Sequence, residues 1–278
     1  MGRMVDTHGL RFDVNCSILF TELPLLERPA AAAAAGFEAV EFWWPFTGPV
    51  PSDHEADAFL RSLADAGVSL VGLNFAAGDM SQGHRGWLSQ PANSAAFRDN
   101  IQACVGIAQR AGCTTLNALY GNRVEGVPGQ AQDDLATENL ALTVKAAAGA
   151  GATVVIEALN SYESPRYPLV SSAAAVAVVD RVRQHTGAAN IAFLADLYHL
   201  GRMGEDLAAM LRGNIGKIGH VQIADVPGRG APGTGETAFG PLFAELARLS
   251  YPGWVGLEYK PADPAGSPAS FGWLTAGN

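Results

Sequence analysis

Cationic side chains are scarce in this chain: 18 Lys and Arg stand against 27 Asp and Glu, a formal net charge of −9. A surface of that sign repels phosphate backbones, so a nucleic-acid partner is excluded. An anionic ligand would need a local cationic pocket. Only Cys16, Cys104 and Cys113 carry thiols, an odd number without metal-type spacing. They are expected to be reduced, packed residues of a cytoplasmic protein rather than a disulfide framework. No apolar run approaches the roughly 18 residues a membrane span requires. The opening MGRMVDTHGLRFDVN lacks the apolar core of a secretory leader, so no membrane partner is expected. Walker and G-x-S-x-G sequences are absent, which leaves nucleotide triphosphatase and serine hydrolase readings without support. One G-x-G-x-x-G match occurs at residues 228–233, GRGAPG. Pro232 interrupts it and no helix follows directly, so its glycines are expected to shape a loop rather than a dinucleotide site.

What the chain has is alternation. Short apolar runs at residues 12–16, 39–43, 69–73, 115–119, 153–158, 191–197, 218–224 and 254–259 read as strands. Helical patterns fill 22–35, 53–66, 94–111, 132–148, 172–186, 203–211 and 241–249. Gly36, Gly67, Gly112 and Gly187 follow helices directly, as left-handed C-caps of short connections to the next strand. Asp53, Asn93 or Ser94, and Ser171 or Ser172 are candidate N-caps. Eight such units of about 30 residues predict an α/β fold with one closed (β/α)8 barrel over residues 1–278, rather than an open doubly wound sheet. Residues 261–278 read as a tail with one packed or helical element around 271–274. The loops after strands are long and those before strands short, which puts the chemistry at the strand C-terminal mouth.

Four strand ends agree with one another. Glu157 ends TVVIE, Asp196 ends IAFLAD, Gln222 lies near the end of GHVQIA, and Glu258 ends WVGLE. On consecutive barrel strands they would point into one ring. Three unpaired carboxylates there would repel and be forced to protonate, so a cation between them is the economical arrangement. Oxygen-only donors suit a hard divalent ion, Mg²⁺ or Mn²⁺, better than zinc. His199, three residues after Asp196, falls on a loop or first helical turn and fits either a hydrogen bond to bound substrate or a capping histidine. His220, two residues before Gln222, reads as a packed, hydrogen-bonded histidine one layer deeper.

The segments NCSILFTELPLLER, AGFEAVEFWWPF, LNFAAGD with RGW, VVIEALN, ADLYHLGRMGEDL, GHVQIADVPGR, PGTGE and YPGWVGLEYKP run in order from residue 15 to about 261. In these the chain resembles the hydroxypyruvate isomerase family of xylose-isomerase-like TIM barrels. The resemblance implies a divalent metal at Glu157, Asp196, Gln222 and Glu258, with Glu157 and Glu258 as the acid/base pair. It implies a small hydroxy-carbonyl acid as substrate; Arg229, by a bidentate fork, and Lys260 are candidates to hold its carboxylate, each of which would otherwise be a solvated cation. Hydroxypyruvate is the lead substrate, and 2-oxo-tetronate isomerases and ketose 3-epimerases share the scaffold. Two departures touch the substrate loops: Gly230-Ala231 where relatives often carry His-Glu, and Ser161-Tyr162-Glu163 where an Arg-Asp pair is common. The sequence leaves homo-oligomer formation open.

Overall fold

Eight parallel strands, β1 (Arg11–Asn15), β2 (Ala39–Phe42), β3 (Ser69–Asn74), β4 (Thr115–Asn117), β5 (Thr153–Glu157), β6 (Ile191–Asp196), β7 (Ile218–Ile223) and β8 (Trp254–Leu257), pair in chain order, and β8 closes on β1. The computed structural model describes residues 8–262 and 264–274. The readings made on residues 1–7 and 275–278 lie outside them. The closed barrel matches the expected (β/α)8 architecture.

The helices are α1 (Arg28–Ala34), α2 (Asp53–Ala66), α3 (Ser94–Ala111), α4 (Gly129–Gly149), α5 (Ser172–Thr186), α6 (Leu197–Arg202), α7 (Leu207–Asn214) and α8 (Phe239–Arg248). Gly67, Gly112 and Gly187 end their helices at φ 68°, 69° and 70°, the left-handed caps the sequence predicts. The expected cap at Asp53 moves back one residue. Ser52 and Glu55 form a reciprocal capping box, which leaves Asp53 in the first turn. The helix expected over 203–211 is α7, shifted to Leu207–Asn214, and an unexpected short helix, α6, precedes it at Leu197–Arg202. Asp196 accepts from the amides of Tyr198 and His199 and starts α6 directly at the strand end; Gly204, at φ 78°, interrupts, and Asp206 caps α7. The expected helix from residue 22 begins instead as a 3₁₀ turn, Leu25–Glu27, before α1.

Alternate strand residues separate two interiors. Val14, Val40, Ile156, Phe193, Val221 and Val255 belong to the apolar core that also holds the buried helix residues. Inside the barrel, Val155, Ala192 and Leu194 form a small separate apolar cluster. The rest of that interior is polar, with Asp13, Asn15, Glu41, Asn74, Asn117 and His220 all buried. After β8 the 3₁₀ segment Pro264–Leu274 packs where a last helix would lie. Phe271 meets Phe37 at 4.9 Å between ring centroids, and Trp273 stands edge-on to Phe12 at 5.7 Å.

The strand β7 carries a bulge. Phe193 pairs with Ile218 and Leu194 with His220, so Gly219 is the extra residue. Simple alternation places Gly219 opposite His220, on the helix side. The bulge instead turns it toward the barrel interior, where a Cβ would lie 2.8 Å from Ala192 Cβ and 3.0 Å from Val155 Cγ1. Gly219→Ala is therefore expected to destabilise the fold by about 1–3 kcal/mol through overpacking, read from the urea unfolding midpoint. An unchanged midpoint would show that the inner cluster can yield.

Candidate active site

Glu157, Asp196, Gln222 and Glu258 all reach the C-terminal mouth of the barrel and are 4%, 2%, 2% and 4% exposed. Glu157 and Glu258 line a cavity of about 630 Å³, whose wall also includes Trp43, Arg85, His199 and Arg229. That size suits a small molecule. The segments after β1, β3, β4, β5 and β8 supply the rest of the wall.

Three of the four residues share one pattern: one polar atom is tied to the protein and one oxygen is left over. Glu157 Oε2 accepts from Asn117 Nδ2 at 2.7 Å, and its Oε1 stands 3.9 Å from His199 Nε2. Asp196 Oδ1 caps α6, and its Oδ2 stands 3.6 Å from the same histidine nitrogen. Gln222 Nε2 donates to Glu41 Oε1 at 2.7 Å, while its Oε1 is buried and has no partner. Glu258 is held more fully. Its Oε1 accepts from Trp43 Nε1 at 2.7 Å and Asn15 Nδ2 at 3.0 Å, and its Oε2 pairs with Arg229 Nη2.

The charges are out of balance. Burial, reinforced by Glu258 and Asp196, pushes the Glu157 carboxyl well above the ordinary carboxylate range. Asp196 is pushed up to about 8 by burial and then by Glu258. Glu258 is raised by burial, but Arg229 holds it back. Burial works against the Arg229 charge, yet the surrounding acids, Glu258 first, raise its pKa above the usual value. A divalent cation fits these residues: the donor set is all oxygen, one buried amide oxygen lacks a partner, and the acids repel one another. Glu157, Asp196 and His199 are also placed so that three ligand atoms lie within 4.8 Å of one another.

His199 is better suited to donate than to ligate. Its Nδ1 accepts from the Asn160 backbone amide at 3.1 Å, so the proton of the neutral ring sits on Nε2, which faces Glu157 and Asp196. Burial, followed by the charges of Arg229 and Arg85, drives its pKa well below the usual value and keeps the ring neutral. His220 is the deep packed histidine that the sequence predicts, 2.7 Å from Glu41 Oε2.

Arg229 does not wave in solvent. It sits at φ 58° on the loop after β7, its amide donates to Asp225 O and its carbonyl accepts from Lys260 N at 2.7 Å. Its guanidinium also lies 5.3 Å from the Tyr198 ring centroid. The loop is shaped by Asp225, whose carboxylate accepts from the amides of Gly233, Gly235 and Thr237, so the glycines of GRGAPG serve a turn, as expected. Lys260 is exposed at the cavity rim. Sequence reasoning passed over Asn15, Glu41, Arg85 and Asn117. An acid inside the apolar strand AVEF was the available signal for Glu41; the asparagines gave none beyond strand alternation. Arg85 is half-buried in the cavity wall, held by Ser164 Oγ at 2.9 Å and the Met80 and His84 carbonyls.

The sequence profile of the xylose isomerase-like TIM barrels matches residues 29–276, and the chain belongs to that family. A Streptomyces coelicolor protein named "Putative hydroxypyruvate isomerase" is 59% identical over 269 residues, 96% of each chain. A 2-oxo-tetronate isomerase of Cupriavidus necator is 38% identical, covering 95% of this chain and 97% of its own. A Brucella melitensis crystal structure titled "AP endonuclease, family 2" superposes with a TM-score of 0.86 at 35% identity, over 96% of this chain and 98% of that one. With this fold and these relatives, the protein is an intramolecular isomerase of the aldose–ketose kind. Among the described residues no helix is long and apolar enough to cross a membrane.

Raised carboxyl pKa values have a sign in stability. The folded site binds protons that the unfolded chain releases near pH 4, so its contribution is full below that and lost as pH rises through about 8. Chelator-treated protein should therefore unfold at lower urea at about pH 8.5 than at about pH 6. Adding Mn²⁺ should shrink the difference. A midpoint that rises over this interval without cation would contradict the burial of these acids.

Proposed function

We propose that the chain interconverts hydroxypyruvate and tartronate semialdehyde by proton transfer between Glu157 and Glu258. The observation that carries this is the set of leftover oxygens on Glu157, Asp196 and Gln222, beside two glutamates on β5 and just after β8. The 59% identical relative favours hydroxypyruvate over the 2-oxo-tetronate of the 38% identical one. The endonuclease title of the Brucella structure gains no support from this acidic chain, because a nucleic-acid groove needs clustered positive charge.

Glu157, Asp196, Gln222 and Glu258 would hold a divalent ion, Mg²⁺ or Mn²⁺. Such an ion polarises a carbonyl and offsets negative charge developing on oxygen. One glutamate removes a proton from the hydroxymethyl carbon and the other delivers one to the adjacent carbon. The hydroxyl proton passes to the former carbonyl oxygen, so atoms and electrons balance through an enediolate. The His199 Nε2–H is placed to donate to a substrate oxygen during this exchange. Trp43 and Asn15 donate to Glu258, and Asn117 donates to Glu157, which holds both carboxylates in place.

The substrate carboxylate falls to Arg85, with Arg229 and Lys260 adding charge around it. Arg229 is committed to Glu258, whereas Arg85 Nη2 makes no hydrogen bond among the described residues. Burial and then the Arg229 charge lower the Arg85 pKa, and an anion between the two would relieve that repulsion.

Chelation should abolish turnover, with Mg²⁺ or Mn²⁺ restoring it; full activity in metal-free protein would sink the metal reading. Glu157→Gln and Glu258→Gln should each be nearly inactive yet folded, and turnover in D₂O should place deuterium on the reacting carbon. Substantial activity in both variants, with no deuterium after many turnovers, would defeat the two-glutamate mechanism. Arg85→Ala should raise KM for the acid by about 10- to 150-fold, the loss of one charge-assisted hydrogen bond of roughly 1.5–3 kcal/mol, with kcat little changed. An unaltered KM would return Arg85 to a loop-anchoring role.

A further inference from the structure

Beneath the proposed metal ligands lies a second buried group, Asp13, Glu41 and His220, that the reaction does not use. Glu41 is its hub, 2% exposed on β2. Its Oε2 lies 2.7 Å from His220 Nε2, and its Oε1 accepts from both Gln222 Nε2 at 2.7 Å and Asn15 Nδ2 at 3.0 Å. The barrel makes room for this carboxylate on two strands. A Cβ on Gly72 of β3 would lie 3.0 Å from Glu41 Oε2, and one on Gly256 of β8 would lie 2.8 Å from Glu41 Oε1.

An amide ligand has a difficulty that a carboxylate does not: turned over, it offers N–H groups where an oxygen is needed. Gln222 Nε2 meets two carboxylates, Glu41 Oε1 at 2.7 Å and Glu258 Oε1 at 3.5 Å. Flipping the amide would set its oxygen against both. The orientation seen leaves Gln222 Oε1 buried and without a hydrogen-bond partner, the one polar atom of the amide still free to meet a cation. Asn15 is fixed in the same manner. Its Oδ1 accepts from the Ser17 amide at 2.9 Å, so its Nδ2 must turn to the acids, where it bridges Glu41 Oε1 and Glu258 Oε1, each at 3.0 Å.

We propose that Glu41 is a positioning residue: by accepting from Gln222 Nε2 it locks the amide so that the oxygen, not the N–H groups, is offered to the cation site. This rests on the reading that Gln222 is a metal ligand. Partners behind a ligand of this kind typically change metal affinity by about 10- to 100-fold when removed.

The test is Mn²⁺ binding to chelator-treated protein by calorimetry, arranged as a double-mutant cycle on Glu41→Gln and Gln222→Glu. Against wild type, Glu41→Gln should weaken Mn²⁺ binding by about tenfold or more. In the Gln222→Glu background it should cost little, because a carboxylate presents oxygen whichever way it turns. An equal loss in both backgrounds would overturn the proposal, since Glu41 would then act only through its charge or through general stability. Equal Mn²⁺ affinity of wild type and Glu41→Gln would overturn it too, while leaving the metal reading intact. A wild-type protein that binds no Mn²⁺ would remove the metal reading and this inference with it. Should Glu41→Gln not be recovered folded, Glu41→Asp takes its place in the cycle. It keeps the charge but withdraws the acceptor by one methylene, and the same pattern is expected.

Discussion

Repulsion among buried carboxylates is the constraint on which the barrel mouth depends. Glu157, Asp196 and Glu258 are withdrawn from water at one end of a parallel sheet; Glu258 raises the pKa of the other two, and Asp196 adds to that of Glu157. Every neighbouring feature answers that repulsion. Arg229 is held in a left-handed backbone conformation by bonds on both sides of its residue, which brings one permanent positive charge to Glu258. Asn117, Asn15 and Trp43 each donate to a carboxylate oxygen. His199 is kept neutral and turned so that its N–H faces the acids. The oxygens left over are groups that could hold a cation.

A layered interior follows from the same constraint. The small apolar plug of Val155, Ala192 and Leu194 is one part of the barrel interior. The polar part carries Glu41 and His220, and the mouth carries the proposed ligands. Charged groups at the mouth are thus backed by other polar groups rather than by hydrocarbon. This lets each carboxylate find a donor without reaching into solvent. Asp13 is the exception. Burial and the nearby Glu41 charge raise its pKa well above the usual range, and neither oxygen has a hydrogen-bond partner.

Much of this was legible in the sequence because barrel periodicity is strict. An acid or amide closing each of four successive apolar strands can only face one mouth, so the ring of Glu157, Asp196, Gln222 and Glu258 followed from spacing. The short helix α6 directly after β6 did not follow. It depends on the Asp196 carboxylate turning back onto the chain, which no periodicity records. The bulge at Gly219 was hidden for a related reason: one inserted residue changes which face a side chain takes without changing composition. Arg85 was missed because its loop has no regular repeat, so only the folded path of that loop brings its guanidinium to the cavity. Arg229 was found, but its attachment to Glu258 joins residues 29 positions apart through a non-helical turn.

Asp196 commits one of its two oxygens to the backbone and leaves the other facing His199, and that division narrows what evolution can do at the position. A glutamate there would keep the charge, but its longer side chain would overreach the first-turn amides that Oδ1 now satisfies, and the start of α6 would loosen. Asparagine would keep the cap and forfeit the charge. A lineage drifting toward a new reaction could therefore discharge this corner of the site in one step and still retain the same backbone, whereas lengthening it would disturb both at once.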